Sequence, residues 1–545
     1  MFGMGSRAPH PYSGKVLYQI YPRSFQDSDG DGVGDLRGII ERLDYLAGTP
    51  DSLGVDIIWL SPFYPSPMAD FGYDVSNYMD VDPLFGTLND FKKLLYEAHR
   101  RGLEVIVDFI PNHTSNEHPW FVESRSSRTN TKRDWYVWRD AKANGSPPNN
   151  WLSVFGGSAW QFDDTTGQYY LHSFLDKQPD LNWDNPEVRH AMKAQMQFWV
   201  DLGVDGFRVD AVSWISKDVE FRDEPPNPDY RPGVDDPNHA LLHTRSEAGP
   251  KLYKYLKEMA SVLEEKGTGI MITEAYPQEW DDIDIYRDFY QHVNPAYSAP
   301  FNFTGIFSPW TAGSFRGVID DFQRSVEPED LPIYCLGNHD KPRLASRIGT
   351  KQSKIAAMLL LTLPGMPTIY YGDELGMQDV PIRPDQVQDP FEKNVPGKGL
   401  GRDPGRTPMA WENTKLGGFT QNNQPWLPLG DLKQTPPVAA QAEQPLSHLN
   451  LYKRLLAYRK HHEALRIGTY KSIGAPPDIF SFVRETENER LLVLLNYSAK
   501  EVAVPVEVYP EVQISTHADL PLYLGGSLHL RPHEGVIVRP SGQQG

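Results

Sequence analysis

The sequence of 545 residues is poor in cysteine, in basic side chains and in long apolar runs, and each shortage excludes a class of protein. Its one cysteine, Cys335, can form neither a disulfide within the chain nor a cysteine-based metal cluster. Lysine and arginine number 53 against 72 aspartates and glutamates, a net charge of −19, which argues against a nucleic-acid partner or an anionic membrane. No apolar run reaches membrane-spanning length, and the N-terminal residues lack the apolar core of a signal peptide. We therefore expect a soluble cytoplasmic protein, either a monomer or a homodimer.

What the sequence does contain is a series of short runs rich in β-branched and aromatic residues, separated by amphipathic segments. This alternation predicts parallel strands covered by helices. Eight runs suggest an α/β fold of the (β/α)8 TIM-barrel type, in which functional side chains lie at the C-terminal ends of the strands. The runs are KVLYQIYP, VDIIWLSP, LEVIVDFIP, VDGFRVDA, GIMITEAY, AYSAPFNF, LPIYCLGNHD and MPTIYYGDE.

Three segments depart from this series. Residues 114–182, rich in Trp, Asn, Gly and Pro, are too long for a simple loop and predict a small inserted domain after the third strand. Residues 376–430 predict a second long loop after the eighth strand. Alternating patterns in residues 468–545 predict a C-terminal antiparallel β-sandwich. The barrel is therefore expected in residues 1–113 and 183–467.

Polar side chains follow several of the predicted strands, at the point where each strand ends. Taken singly, a barrel-end Asp or His is as often a cap or a satisfied core group as a functional one. Ionisable residues at four strand ends are harder to explain as structural, because bringing charges together costs desolvation. These residues are Asp108, Asn112 and His113 after the third run, Arg208 and Asp210 after the fourth, Glu274 after the fifth, and His339 and Asp340 after the seventh.

The stretch DSDGDGVGDL, residues 27–36, resembles a calcium-binding loop, with acidic residues at alternate positions and Gly32 at the sharp turn. An EF-hand loop also needs a bidentate Glu at its twelfth position, which here is Gly38. The missing Glu argues against a calcium sensor. A structural metal site and a plain polar turn are the two remaining interpretations.

The sequence resembles the α-amylase superfamily of glycoside hydrolases over nearly the whole chain. The four marker motifs of that superfamily occur in order, each at the end of a predicted strand: DFIPNH (108–113), GFRVDA (206–211), ITEA (272–275) and GNHD (337–340). Three further stretches are similar to the oligo-1,6-glucosidase and α-glucosidase branch, namely MADFGYDVSNY (68–78), QPDLN (178–182) and GRDPGRTPMAW (401–411). In that branch the loop at 27–36 holds a divalent metal.

The resemblance implies a retaining glycoside hydrolase with a carboxylate nucleophile and a protonated carboxyl acid. Asp210 would be the nucleophile, Glu274 the acid/base, and Asp340 the carboxylate that grips the sugar's 2- and 3-hydroxyls. Arg208 would orient Asp210 and keep its pKa low, whereas Glu274 would need a raised pKa.

The resemblance also implies the residues that bind the sugar. Asp70 and Arg406 would pair across the closed end of a pocket and bind the 4-hydroxyl of the terminal sugar, which means exo action on small α-glucosides. The remaining predicted sugar contacts are Tyr73, His113, Phe174 and His339.

For the loop at 27–36, the resemblance implies a structural divalent cation, calcium or else magnesium, and no organic cofactor. Its predicted ligands are Asp27, Asp29, Asp31, Asp35 and the backbone carbonyl of Val33. The α-amylases proper carry a Lys-His pair after GFRVDA that supports a second calcium. Ser213 and Trp214 stand there in this sequence, which argues against a second calcium site and against an endo-acting amylase.

Several alternatives share the scaffold. Ala211, the small residue after the predicted nucleophile, favours α-1,4 over α-1,6 linkages within this branch. An α-1,6-preferring oligo-glucosidase and a transglucosidase stay open as alternatives. The stretch KPRLASRIG at 341–349 differs from the RLDRD-like stretch of the isomerases in this branch, so isomerisation is disfavoured. A non-catalytic transporter subunit is also disfavoured, because the carboxylates are present and a transmembrane run is not.

Overall fold

A computed structural model describes residues 9–277, 281–506 and 510–540. Residues 1–8 of the predicted barrel segment, and residues 507–509 and 541–545 of the predicted sandwich, lie outside the described residues. The strands are β1 (Leu17–Ile20), β2 (Ile57–Leu60), β3 (Glu104–Phe109), β4 (Trp138–Arg139), β5 (Trp160–Asp163), β6 (Gln168–Leu171), β7 (Gly206–Val209), β8 (Ile270–Thr273), β9 (Ser298–Asn302), β10 (Ile333–Cys335), β11 (Met366–Tyr370), β12 (Thr469–Ser472), β13 (Ile479–Glu485), β14 (Arg490–Asn496), β15 (Val502–Pro505), β16 (Pro510–Ser515), β17 (Leu522–Leu524), β18 (Ser527–Leu530) and β19 (Gly535–Pro540).

The α-helices of the described residues range from single turns to 17 residues. They are α1 (Pro22–Phe25), α2 (Leu36–Glu41), α3 (Leu43–Leu46), α4 (Leu88–Arg100), α5 (Pro119–Ser126), α6 (Pro186–Leu202), α7 (Leu252–Lys266), α8 (Asp284–His292), α9 (Thr304–Phe307), α10 (Ala312–Ser325), α11 (Leu344–Ile348), α12 (Thr350–Thr362), α13 (Pro390–Asn394), α14 (Val438–Ala442), α15 (His448–His461) and α16 (Glu463–Ile467). Short 3-10 helices cover Arg133–Trp135, Val212–Ile215, Pro237–Ala240, Asp373–Leu375, Pro384–Gln386 and Asp403–Gly405.

Eight parallel strands close into a barrel in the order β1-β11-β10-β9-β8-β7-β3-β2. All eight lie within the apolar runs of the sequence, so the predicted TIM barrel is confirmed. Parallel strands are buried on both faces and therefore appear as continuous apolar runs. In β2 and β8, for example, every side chain is buried.

The helices around the barrel begin and end where local sequence signals stand. In α4, Thr87 and Asp90 form a capping box, and Phe91, Leu94 and Leu95 turn toward the barrel. Helix α6 ends at Gly203, whose left-handed backbone (φ 107°) allows the chain to turn back into β7.

Between β3 and α6 the chain forms a three-stranded antiparallel sheet in the order β4-β6-β5. This sheet has an apolar cluster of its own around Trp151 and Trp160. Its end is tied to the barrel by a bridge between His113 and Asp180. The segment therefore overhangs the end of β3, where the first predicted site residues stand.

The C-terminal strands form two antiparallel sheets, one in the order β12-β13-β14-β19-β16 and one in the order β15-β18-β17. A shared apolar cluster lies between them, with Ile479 and Leu494 from the first sheet and Val504 and Leu528 from the second. Two sheets packed face to face are a β-sandwich, as predicted. Among the described residues, no helix combines the length and the apolar character needed to cross a membrane.

Candidate active site

A cavity of about 630 Å³ opens at the C-terminal ends of the barrel strands. This is the end at which TIM barrels carry their functional side chains. Three of the predicted site residues, Arg208, His339 and Arg406, lie fully buried behind its lining. The other predicted site residues of the barrel line it directly, namely Asp70, Tyr73, His113, Phe174, Asp210, Glu274 and Asp340.

The guanidinium group of Arg208 lies at the centre of the carboxylates. Its Nη1 is 2.7 Å from Oδ1 of Asp108 and 2.8 Å from Oδ1 of Asp210, while Nη2 is 2.5 Å from Oε1 of Glu274. The group also packs over the indole ring of Trp59, 5.0 Å from the ring centroid. One buried cation therefore holds three carboxyl groups from three neighbouring strands within a few ångströms of one another.

The expectation that Arg208 keeps the pKa of Asp210 low is wrong, because Arg208 contacts three carboxyl groups at once. Burial raises the pKa of Asp210 well above its usual range, and the neighbouring carboxyl of Glu274 raises it further. Arg208 opposes both effects, but its charge is divided among three acidic groups. In the free protein, the contact with Arg208 therefore does not suffice to lower the pKa of Asp210.

The backbone after Asp210 fixes the position of Glu274. Ala211 adopts a left-handed conformation with φ 46°, which is uncommon for a residue with a side chain. Its N–H donates to Oε2 of Glu274 at 2.9 Å. The N–H of Asp210 in turn donates to the carbonyl of Phe109 in β3, at 2.8 Å. Strain of this kind is found at functional sites, where surrounding contacts hold it in place.

Asp340 stands opposite this pair and is held by two arginines. Its Oδ1 accepts from Nη2 of Arg406 at 2.9 Å and lies 3.4 Å from Nη1 of Arg402. Burial would raise the pKa of Asp340, but His339 and the guanidinium groups of Arg406 and Arg402 outweigh it and hold the pKa well below its usual range. Asp340 is therefore a carboxylate at neutral pH.

The predicted ion pair between Asp70 and Arg406 is wrong. Asp70 pairs with Arg402, whose Nη2 is 2.6 Å from Oδ1 of Asp70. Arg406 lies deeper, where its Nε donates to the carbonyl of His339 at 2.7 Å. Both arginines belong to the stretch GRDPGR, so the sequence offered two candidates four residues apart. The resemblance indicates Arg406, whereas in the structure Arg402 lines the cavity.

A buried aspartate that sequence reasoning missed fixes Arg402. Asp389 contacts this guanidinium through Nη2 at 2.7 Å and through Nε at 3.1 Å. The ring of Phe155 covers the same guanidinium at 5.0 Å. Arg402 therefore lines the cavity with a side chain that Asp389 and Phe155 hold from two sides. The sequence of the long loop at 376–430 contains no pattern that distinguishes Asp389 from the other aspartates of that loop.

The predicted aromatic and histidine contacts form a connected network. The hydroxyl of Tyr73 is 2.7 Å from Nε2 of His339 and donates to Oδ2 of Asp108 at 3.1 Å. The other ring nitrogen of His339 is 2.8 Å from Nε2 of Gln19. A bond from His339 to a sugar hydroxyl would therefore require one of these partners to be exchanged.

His113 reaches the cavity wall with its ring 5.1 Å from that of Phe174. Its Nε2 is 3.1 Å from the carbonyl of Tyr73 and 3.1 Å from the side chain of Gln178. Burial lowers the pKa of His113 to about 4, so the ring is neutral under ordinary conditions. A neutral ring can both donate and accept hydrogen bonds at this wall.

A lysine lies between the barrel and the inserted segment. The ammonium group of Lys217 is 2.9 Å from Oδ2 of Asp180 and 3.2 Å from Oδ1 of Asn112, and it also contacts the carbonyl of Trp214. Three oxygens from three segments thus surround a cation supplied by the chain. The sequence motif GFRVDA gave no sign of Lys217.

In the loop at 27–36, three of the predicted metal ligands come together. Oxygens of Asp27, Asp29 and Asp35 lie within 4.8 Å of one another. Asp31 does not belong to this group, and its Oδ1 accepts the N–H of Val33 at 2.7 Å. Carboxylate oxygens at this spacing suit a hard divalent cation such as Ca²⁺ or Mg²⁺. The loop therefore fits the predicted ion with a smaller carboxylate set than expected.

Sequence comparison matches the chain to one family model and to known glucosidases. A family model described as "Alpha amylase, catalytic domain" matches residues 19–468. A probable alpha-glucosidase of Rhizobium meliloti is 43% identical over 502 residues, which cover 89% of this chain and 89% of that protein. An oligo-1,6-glucosidase of Parageobacillus thermoglucosidasius is 39% identical over 524 residues, covering 89% and 90% of the two chains.

Two solved structures superimpose on nearly the whole chain. An alpha-glucosyl transfer enzyme, XgtA, superimposes with a TM-score of 0.90 at 38% identity and covers 98% of this chain and 100% of its own. The trehalulose synthase MutB, in its monoclinic crystal form from Pseudomonas mesoacidophila MX-45, superimposes with a TM-score of 0.85 at 33% identity, with coverage of 97% and 99%.

Proposed function

The chain belongs to the α-amylase catalytic-domain family and is a glycoside hydrolase of its α-glucosidase branch; from this membership we propose that it is an exo-acting, retaining α-glucosidase. In this proposal it releases glucose from the non-reducing ends of maltose and short α-glucosides. The observation that carries the proposal is the cavity itself. Asp210 and Glu274 line it, and the buried pair of Asp70 with Arg402 closes one end.

The chemistry follows from the two coupled carboxyl groups. Asp210 attacks the anomeric carbon as a carboxylate while Glu274 gives its proton to the departing glycosidic oxygen. The C–O bond to the leaving sugar breaks as the bond from carbon to Asp210 forms. Glu274 then takes a proton from water, and the resulting hydroxide displaces Asp210. Both groups contact the guanidinium of Arg208, and this proximity supports retention, in which the two carboxyl groups are closer together than in inversion.

Exo action rests on the closed end of the cavity. The carboxylate of Asp70 and the guanidinium of Arg402 offer directed acceptors and donors to one sugar hydroxyl. A glucose whose 4-hydroxyl already carries another sugar does not fit against this pair. A site built to bond a hydroxyl also rejects substrates that leave its buried polar groups unpaired. The first glucose in the cavity is therefore the non-reducing end.

The linkage preference rests on Ala211. This residue lies on the cavity wall directly after Asp210, and its left-handed backbone holds it against Glu274. A methyl group leaves more room beside the scissile bond than a branched side chain would. We infer a preference for α-1,4 linkages on this ground, with α-1,6 cleavage as the alternative.

Brief digestion of end-labelled maltopentaose tests the proposal. We expect free glucose and labelled chains shortened by one unit, with negligible cleavage of cyclodextrin. Early maltose and maltotriose without glucose would show an open, endo-acting cleft. The kcat/KM values for maltose and isomaltose test the linkage in the same preparation, and a higher value for isomaltose would reverse the inferred preference.

Glucosyl transfer is a second candidate function, favoured by the overlap with the alpha-glucosyl transfer enzyme. The cavity lining also includes Trp214, Tyr276 and Phe391, and such aromatic rings can hold an acceptor sugar. A sugar hydroxyl would then replace water in the second step. Product analysis with concentrated maltose separates the two activities, because transfer yields trisaccharides and hydrolysis yields glucose alone.

Replacing Arg402 by alanine should lower kcat/KM for maltose about 100-fold, with KM raised and kcat lowered together. The substitution removes the cation that pairs with Asp70 and Asp389 and leaves two buried carboxylates unpaired. Arg383→Ala, on the same long loop but exposed, is the matched control and should match the wild type. Equal activity of the Arg402 and Arg383 variants would show that Arg402 does not hold the terminal sugar.

We also propose that Asp27, Asp29 and Asp35 hold a structural divalent cation. When bound, the ion would neutralise carboxylates of the first βα loop and stabilise only the folded chain. It lies outside the residues that line the catalytic cavity, so the chemistry does not pass through it.

In the double variant Asp27→Asn, Asp29→Asn we expect less bound divalent ion and a melting temperature that no longer rises by a few degrees with added calcium. Activity per folded molecule should be unchanged. Asp51→Asn, an exposed aspartate on a neighbouring turn, serves as control. Elemental analysis that finds no divalent ion in the wild-type protein, together with no calcium-dependent melting shift, would leave only a polar turn.

A further inference from the structure

One acidic side chain of the cavity wall, Glu247, has no role in the chemistry above. Glu247 lines the cavity together with Trp214, Glu274 and Tyr276. Among the described residues, none donates a hydrogen bond to its carboxyl group or forms an ion pair with it. A carboxyl group that lines a cavity and lacks a protein partner usually has its partner in a ligand or in water.

The backbone holds Glu247 in place beside the nucleophile. The N–H of Ala248 donates to the carbonyl of Ser213 at 2.7 Å, and the N–H of Gly249 donates to the carbonyl of Ser216 at 2.8 Å. Glu247 is therefore anchored to the turn that follows Asp210.

Strained residues flank this position on both sides. His243 and Ala248 have left-handed backbones, with φ of 50° and 51°. Neither is glycine, so the surrounding contacts must hold each of them against its own preference. One such contact is Glu224, which accepts the N–H groups of Thr244 and Arg245 at 2.9 Å and 2.6 Å. The backbone before and after Glu247 is thus held by the fold.

The state of the carboxyl group fits a hydrogen-bonding role toward a neutral sugar. Burial, with a smaller contribution from Glu224, raises the pKa of Glu247 to about 8. At neutral pH the group therefore carries a proton and can both donate and accept a hydrogen bond. An ionised carboxylate could only accept.

The location of Glu247 relative to Asp70 indicates on which side of the scissile bond Glu247 lies. Asp70 and Arg402 close the glucose end of the cavity, whereas Glu247 belongs to residues 223–250 and is anchored beyond Asp210. Other polar residues of the same segment, Asn227, Asp236 and His239, line the cavity as well. This segment therefore forms the wall beside the leaving group.

We propose that the carboxyl group of Glu247 binds a hydroxyl of the leaving sugar, and of the acceptor sugar when the glucosyl group is transferred. The proposal rests on the α-glucosidase function proposed above. It makes Glu247 a specificity residue that favours a sugar over an aryl group on the leaving side.

The test compares maltose with 4-nitrophenyl α-glucoside, which carries the same glucose but no hydroxyls on its leaving group. In Glu247→Ala we expect kcat/KM for maltose to fall about tenfold, the effect of one lost hydrogen bond, and kcat/KM for the aryl glucoside to stay within about twofold. Glu247→Gln keeps a donor and an acceptor in the same shape and should retain most of the maltose activity. Glu220→Ala, at an exposed residue shortly before residues 223–250, is the control.

Two results would overturn the proposal. One is an unchanged kcat/KM for maltose in Glu247→Ala, and the other is an equal loss on both substrates, which would mean a role in folding or in glucose binding. If Glu247→Ala fails to fold, the Gln variant decides, because loss of maltose selectivity in a folded Gln variant also contradicts the proposal. Failure of the α-glucosidase function itself would appear differently, as a wild-type protein inactive on both substrates.

Discussion

Asp210→Ala should abolish turnover of maltose, with kcat reduced on the order of 10⁴-fold or more. The substitution removes the carboxylate that attacks the anomeric carbon, and water cannot take its place because Glu274 acts as an acid in that step. Arg208 keeps its contacts with Asp108 and Glu274, so the barrel should still fold. The measurements are kcat with maltose and the melting temperature of the same preparation.

Added azide sharpens this experiment. The side chain removed from position 210 leaves space on the face of the sugar opposite the leaving group, and a small anion there can attack in its place. We expect partial recovery of activity on an activated aryl α-glucoside, with β-glucosyl azide as the product. Asp210→Asn is the matched control, because it removes the nucleophile but fills the space. Near-wild-type activity of Asp210→Ala without azide would show that another group is the nucleophile.

Glu274→Gln should lower kcat/KM for maltose by about 10² to 10⁴-fold, the usual contribution of general acid catalysis. The amide fills the place of the carboxyl group and can still contact Arg208 and the N–H of Ala211, but it has no proton to give to the leaving sugar. A 4-nitrophenolate leaving group needs little protonation. The variant should therefore still form the glucosyl-enzyme from the aryl glucoside and then stall, because no base activates water.

Rapid-mixing measurements would show this stall as a burst of 4-nitrophenol of about one equivalent per enzyme followed by slow turnover. Glu265→Gln, an exposed residue of α7, is the control and should behave as the wild type. An equal loss on maltose and on the aryl glucoside, with no burst, would contradict the assignment of Glu274 as the acid/base.

The barrel could be predicted from the sequence because each of its strands is buried on both faces and must be apolar along its length. Its catalytic end could also be predicted, since Asp210 and Glu274 directly follow β7 and β8. In parallel strands, adjacency along the sheet brings such residues together without further information.

The pairing at the closed end of the cavity could not be predicted in the same way. Arg402 and Arg406 stand on an irregular loop, where no periodicity relates sequence spacing to direction. Their choice of partner depends on Asp389, a residue 13 positions before Arg402 that the loop folds back to meet. The spacing of residues along the chain therefore does not indicate that Asp389 and Arg402 are in contact.

The protonation of the active site was also beyond sequence reasoning. A motif shows that Arg208 is two residues from Asp210, but it does not show how many other carboxylates share the same guanidinium. Charge sharing and burial are properties of the assembled barrel, and together they reverse the direction of the pKa shift expected for Asp210. Glu247 was missed for the related reason that its significance lies in lining the cavity without a partner among the described residues, which only the folded chain reveals.

The ion pair of Lys217 with Asp180 gives the junction between the barrel and the inserted segment a counterion that is part of the covalent chain. A metal ion at such a junction leaves when its concentration falls, but a lysine side chain cannot be diluted away or extracted by a chelator. Asp180 also accepts the N–H of Ser173, whose neighbour Phe174 stands in the cavity wall. Lys217 therefore helps to position that wall through Asp180 and Ser173.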